Sequence, residues 1–125
     1  MKNKITIALV VFCFCFGWYG LAKAEFQTEQ FLDIYEEYTA NEQKELAGEL
    51  ERYLSGIGTG IGWASFAWKI KTICQPGKLA VTGTQQISML RVLVKNYPEF
   101  KKEFLAYSLL RAYEYTFPCN TQEAK

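Results

Sequence analysis

YLSGIGTGIGWASFAW, residues 53–68, is the stretch on which the fold turns. It carries no charge and four glycines. Yet it continues an apolar stripe of Leu46, Leu50, Tyr53, Leu54, Ile57, Ile61, Ala64 and Trp68, which recurs at three and four as one face of a helix does. Sixteen uncharged residues are too few for a comfortable membrane span, so the pattern predicts the long central helix of a small bundle. Each mid-helix glycine costs roughly 1 kcal/mol against alanine, and several together call for a packing reason. Gly56, Gly60 and Ala64 are spaced by four along one face, and Gly58 with Gly62 forms a second row. Close helix crossing is the favoured reading, either within one chain or against a second copy through Gly56, Gly60, Ala64 and Trp68. A kink and membrane association are the alternatives.

Working outward, residues 28–38 place Phe31, Leu32, Ile34, Tyr35 and Tyr38 at helical spacing, with Glu29, Asp33, Glu36 and Glu37 on the solvated side. Thr39 followed by Glu42 reads as a capping box that starts the next helix near Ala40. Beyond Cys74, residues 75–83 have turn formers at both ends and no helical period, which predicts a loop. Helix resumes over 84–96, capped by Thr82 or Thr84, with Ile87, Leu90, Val94 and Tyr97 inward. Pro98 restarts the chain in a last helix with Phe100, Phe104, Tyr107, Leu110 and Tyr113 inward, ending before Pro118. The expected class is all-α: an irregular bundle of four to five helices with an aromatic core.

Lys2 and Lys4, the apolar run that follows and Ala22-Lys23-Ala24 have the order of a signal peptide, so residues 1–24 are expected to be removed and 25–125 to form a single domain. That domain carries all 13 acidic residues and 11 of the 14 basic ones, a net charge of 11 minus 13, or −2. A nucleic-acid binder needs a basic surface, so that class is disfavoured. The charge is uneven, because residues 25–51 hold nine acids and one lysine, while 52–125 hold four acids and ten bases. The two ends should attract.

Cys74 and Cys119 are the cysteines of the mature part, and in an exported protein a bridge between them is expected, against two buried thiols or a link between chains. It would close a loop of 46 residues. There is no histidine in the chain, which excludes a serine-histidine triad and leaves two cysteines as a poor zinc site; no metal and no cofactor are expected. Paired carboxylates on helix surfaces read as solubilising charge, and GIGTGIG has no strand before it to make a phosphate loop. No catalytic residue is assigned, and protein binding is the favoured activity.

Tyr53-Leu54 with Gly56, Cys74 with Pro76, Tyr97-Pro98-Glu99 and Phe117-Pro118-Cys119 together resemble the periplasmic immunity proteins of the Tai type, over about residues 46–120. The resemblance implies an inhibitor that plugs the cleft of a peptidoglycan amidase delivered by type VI secretion, often as a homodimer and without stable membrane insertion. A further cysteine pair, present in many relatives near the start of the mature domain, is missing here. For that role the loop offers Gln75, Lys78, Leu79 and Val81, pinned at Cys74, with Pro76 limiting the backbone and Gly77 and Gly83 allowing tight turns. Asp33, Glu36 and Glu37 are the competing epitope. A small helical periplasmic chaperone and a structural subunit of an envelope complex are the rival readings.

Overall fold

The computed structural model describes residues 25–69, 72–76 and 79–119; the signal-peptide reading, Gly77 and Lys78 lie outside them. Four α-helices run in order, α1 (Thr28–Ala40), α2 (Lys44–Ala67), α3 (Gly83–Asn96) and α4 (Leu105–Thr116), with a 3₁₀ segment, Pro98–Lys102, between the last two. The architecture is all-α, and helices α3 and α4 form the most extensive pairing, with α2 laid against α3 and α1 against α2.

The core forms where the stripes converge. Phe31, Leu32 and Tyr35 of α1 meet Ala47 and Leu54 of α2, Ile87, Leu90 and Leu93 of α3, and Leu105, Leu109, Ala112 and Tyr113 of α4. Thr28 at the start of α1 is fully buried. Its amide donates to the Glu103 carbonyl (3.0 Å) and its hydroxyl to Ser108 Oγ (2.7 Å), while Ser108 donates onward to the Phe100 carbonyl (3.2 Å). These bonds satisfy polar groups that would otherwise cost about 1–3 kcal/mol each when buried, and they tie the first helix to the last. The attraction between the ends appears as Glu36–Arg91 (3.3 Å) and Glu29–Lys101 (3.2 Å), both exposed and so worth at most about 1 kcal/mol apiece.

Several expectations are corrected. The capping box at Thr39 and Glu42 does not form: Thr39 donates back to the Tyr35 carbonyl (2.9 Å), Glu42 takes the left-handed conformation (φ 56°) in the turn, and α2 begins at Lys44. The long helix is continuous from Lys44 to Ala67, without a split. Its stripe is narrower than read, since Leu46, Tyr53 and Trp68 are exposed. The last helix is two elements, and the extended Glu103 and Phe104 between them turn α4 so that Leu105, Leu109 and Ala112 face inward while Phe104 and Tyr107 face out. In α3, Leu93 is buried in addition to Ile87 and Leu90, Val94 packs partly buried against the core, and Tyr97 is exposed. Gly83 is no turn residue but the first residue of α3. A Cβ there would lie 2.5 Å from the Glu51 carbonyl oxygen, so its role is close approach between α3 and α2. Thr82 is the cap of α3, with the Gln85 amide donating to its hydroxyl and its own amide to the Gln85 side chain (2.8 Å).

Cys74 and Cys119 are bridged. Beside the bridge, the Cys74 amide donates to the Phe117 carbonyl (2.9 Å), and Ile73 and Pro118 form an isolated antiparallel pair. The end of α4 is thus fastened to the segment that leads away from α2. No helix among the described residues is long and apolar enough to cross a membrane.

Candidate functional site: the C-terminal pole of the long helix

In α2 the inward line is Ala47, Leu54 and Gly58. At 3.6 residues per turn, Gly56, Gly60 and Trp63 fall on the opposite, outward line. The two glycine rows therefore differ. A Cβ on Gly58 would overlap the side-chain nitrogen of Gln86 and lie 3.0 Å from the Tyr113 hydroxyl, so this glycine admits α3 and α4 to the helix surface. A Cβ on Gly56, Gly60 or Gly62 would meet nothing within 4 Å. The close crossing is real at Gly58 and absent, among the described residues, at Gly56 and Gly60. Ala64 is half-buried.

Toward its C-terminus α2 presents large apolar side chains to solvent: Trp63 is 69% exposed, Phe66 78% and Trp68 74%. Trp63 and Phe66 sit edge to face, with ring centroids 6.3 Å apart. Lys69 follows in the left-handed conformation (φ 52°) that commonly closes a helix, and its charge suits the negative end of the helix dipole. Between Phe66 and Ser65 on one side and Ile73 and Gln75 on the other, the absent side chains of Gly58 and Gly62 leave a cleft of about 550 Å³, with Tyr113 in its wall. Behind Gly58, the Gln86 side-chain nitrogen donates to the Tyr113 hydroxyl (2.8 Å), and Gln86 Oε1 has no partner among the described residues.

The loop is internally organised. Leu79 donates its amide to the Pro76 carbonyl (2.9 Å), the Gln75 side-chain amide donates to the Leu79 carbonyl, and Val81 packs against the core. Leu79 is exposed. The structure thus brings Gln75 to the aromatic cleft and leaves Leu79 projecting, whereas Val81 is committed inward. Asp33, Glu36 and Glu37 are exposed on α1, away from this pole; Asp33 and Glu36 line a small mixed-charge recess with Arg91, Lys95 and Lys101. Arg91 pairs with Glu36 and lies over the Tyr35 ring at 5.8 Å, so that surface is less acidic than its sequence.

Trp63, Phe66 and Gln86 were not among the residues expected to matter. The signal for Trp63 lies in its place on the line opposite Leu54, with Phe66 one turn on at the side of the helix; for Gln86 it lies in a polar residue four before Leu90 on the inward line of α3. The protein carries an exposed aromatic face, a cleft and an organised loop around one helix end. Compared with known proteins, the chain matches no family model, no curated protein and no solved structure.

Proposed function

We propose that this chain is an exported immunity protein that binds a peptidoglycan amidase toxin and occludes its active-site cleft with the pole formed by the end of α2 and the loop after Cys74. The observation that carries the reading is the exposure of Trp63 and Phe66 beside a loop anchored by the bridge at Cys74. Large aromatic side chains left in water are characteristic of protein-binding surfaces, where they become the central anchors. The described residues on either side of 77–78 are already joined by hydrogen bonds from Leu79 to Pro76 and from Gln75 to Leu79, which lowers the entropy lost on docking and raises affinity. The choice of an amidase rests on the resemblance of residues 46–120 to Tai-type proteins, and the bridge fits an oxidising compartment such as the periplasm. On the same reading a second copy covers Gly56 and Gly60, whose smooth surface admits a helix at short range and gives a homodimer.

The test is pull-down and amidase inhibition with the toxin encoded beside this gene. Trp63→Ser, Phe66→Ser and Leu79→Ala should keep the fold and lose inhibition, while Glu36→Lys and Glu37→Lys should inhibit like wild type. Full inhibition by the first set and failure of the second would move the epitope to α1. Absence of binding to any amidase would remove the amidase reading and leave the chaperone reading, which the same exposed rings favour; suppression of aggregation of an unfolding client would then be the measurement. Sedimentation of Gly60→Leu against wild type tests the dimer.

A further inference from the structure

A second cleft, of about 410 Å³, opens where α3 ends and the C-terminal turns of α4 pass it. Buried Leu93 forms an apolar base, and Tyr97, Phe100 and Tyr115 stand around it. Tyr97 is at 89° to Phe100 and at 80° to Tyr115, with centroids 6.4 and 5.8 Å away, so the three rings are walls set across one another and not a stack. The Asn96 side-chain amide donates to the Tyr115 hydroxyl (3.2 Å), which fixes that ring from the α3 side.

Three charged groups complete the lining, and they are not equivalent. Arg111 is held by Glu114 three residues on, which neutralises both. Glu99 has no ion-pair partner among the described residues and leaves one uncompensated negative charge at the rim. Aromatic ring faces add negative potential of their own. An anionic ligand is repelled by both features, and a purely apolar one gains nothing from the carboxylate. A cation carried on an aliphatic stem uses the rings, the apolar base and Glu99 together.

We propose that this cleft binds a primary ammonium group on an aliphatic stem, the chemistry of a lysine side chain, as a site separate from the pole of α2. Tyr97 and Tyr115 supply ring faces, Leu93 contacts the stem, and Glu99 pairs with the ammonium. The experiment uses residues 25–125 with tyrosine rings labelled for NMR and is independent of any amidase, so it stands or falls apart from the toxin reading. N-acetyl-lysine-N-methylamide is titrated against its neutral counterpart N-acetyl-norleucine-N-methylamide. The expected result is a saturable shift of the Tyr97 and Tyr115 ring signals with the lysine derivative alone, strengthened at low salt. Glu99→Gln, an exposed position that cannot disturb the core, should weaken binding about fivefold, as loss of one exposed charge contact implies. Tyr115→Leu should abolish it. Equal shifts with the norleucine derivative, or no saturable shift at either tyrosine, would overturn the proposal, as would undiminished binding in Glu99→Gln.

Discussion

The two halves of α2 share an inward side and differ in the charge of what faces out. The first half buries Ala47 and Leu54 and shows solvent Glu45, Glu49 and Arg52, the last two joined in an exposed ion pair. The second half buries Gly58, with Ile57 and Ile61 partly covered, and shows solvent Gly56, Gly60, Trp63 and Phe66. One helix thus carries an ordinary solvated surface for half its length and an aromatic one for the rest. Folding needs only the inward side. The outward glycines lower helix stability and the outward rings cost solubility, with no packing return among the described residues, and this contrast is what points to a partner at one end and not the other.

The largest test removes the bridge, which fastens the second half alone. With Cys74 and Cys119 at a sequence separation of 45, the chain-entropy account gives about 4 kcal/mol. Cys74→Ser with Cys119→Ser should lower denaturant stability by about that much. Hydrogen exchange should rise first in α4's end and at Ile73, and later in α1 and the start of α2. Uniform loss of protection along α2 would break the comparison.

Next come the glycines, where one substitution should have opposite signs at neighbouring turns. Gly58→Ala places a methyl group against the Gln86 amide and forces it off Tyr113, a loss of about 2 kcal/mol from overpacking and a broken buried hydrogen bond. Gly56→Ala and Gly60→Ala meet open space and should each stabilise by up to about 1 kcal/mol through helix propensity. Thermal unfolding of the three variants decides it, and a destabilisation by Gly60→Ala that appears only as protein concentration is raised would place that face against a second copy.

Helix existence, the bridge and the start of α3, narrowed to Thr82 or Thr84, were legible in the sequence, because periodicity, cysteine count and capping chemistry are local. The facing of individual residues was less so. Gly56, Gly58 and Gly60 look alike in one dimension, and only the position of Gln86, nearly thirty residues on, tells which of them is pressed. Phe104 and Tyr107 fit a helical stripe as well as Leu105 and Leu109 do; the extended residues after Lys102 rotate the helix and decide between them. Thr39 and Glu42 matched a capping box by spacing alone, but a threonine hydroxyl inside a helix end has a nearer acceptor in the carbonyl four residues back. The pole was half legible: its loop was read from turn formers, whereas Trp63 and Phe66 were read as part of an apolar run whose outward line was not separated from its inward one.

The smallest expected effect lies in the first half of α2 and tests whether its polar contacts are merely solvated or hold α1 in place. Tyr35 of α1 is nearly buried and donates its hydroxyl to Glu51 Oε1 at 2.7 Å. Burial holds its phenol above the usual tyrosine value, the hydrogen bond and negative charge of Glu51 push it further up, and Arg91 over the ring opposes them. In the folded protein the proton is therefore kept at a pH where the unfolded chain has released it. The stability from this contact is full below the unfolded value near 10 and is lost as pH rises through the higher folded value. Denaturant midpoints measured upward from pH 9 should fall in the wild type, and Tyr35→Phe, which has no proton to lose, should show a shallower decline from a slightly lower start. Glu51→Gln keeps an acceptor and removes the charge, so its decline should begin at the same pH, near 10, and level off sooner than that of the wild type. If both variants track the wild type across this range, the Tyr35–Glu51 contact contributes nothing to the joint, and the first half of α2 holds α1 through Phe31 and Leu54 alone.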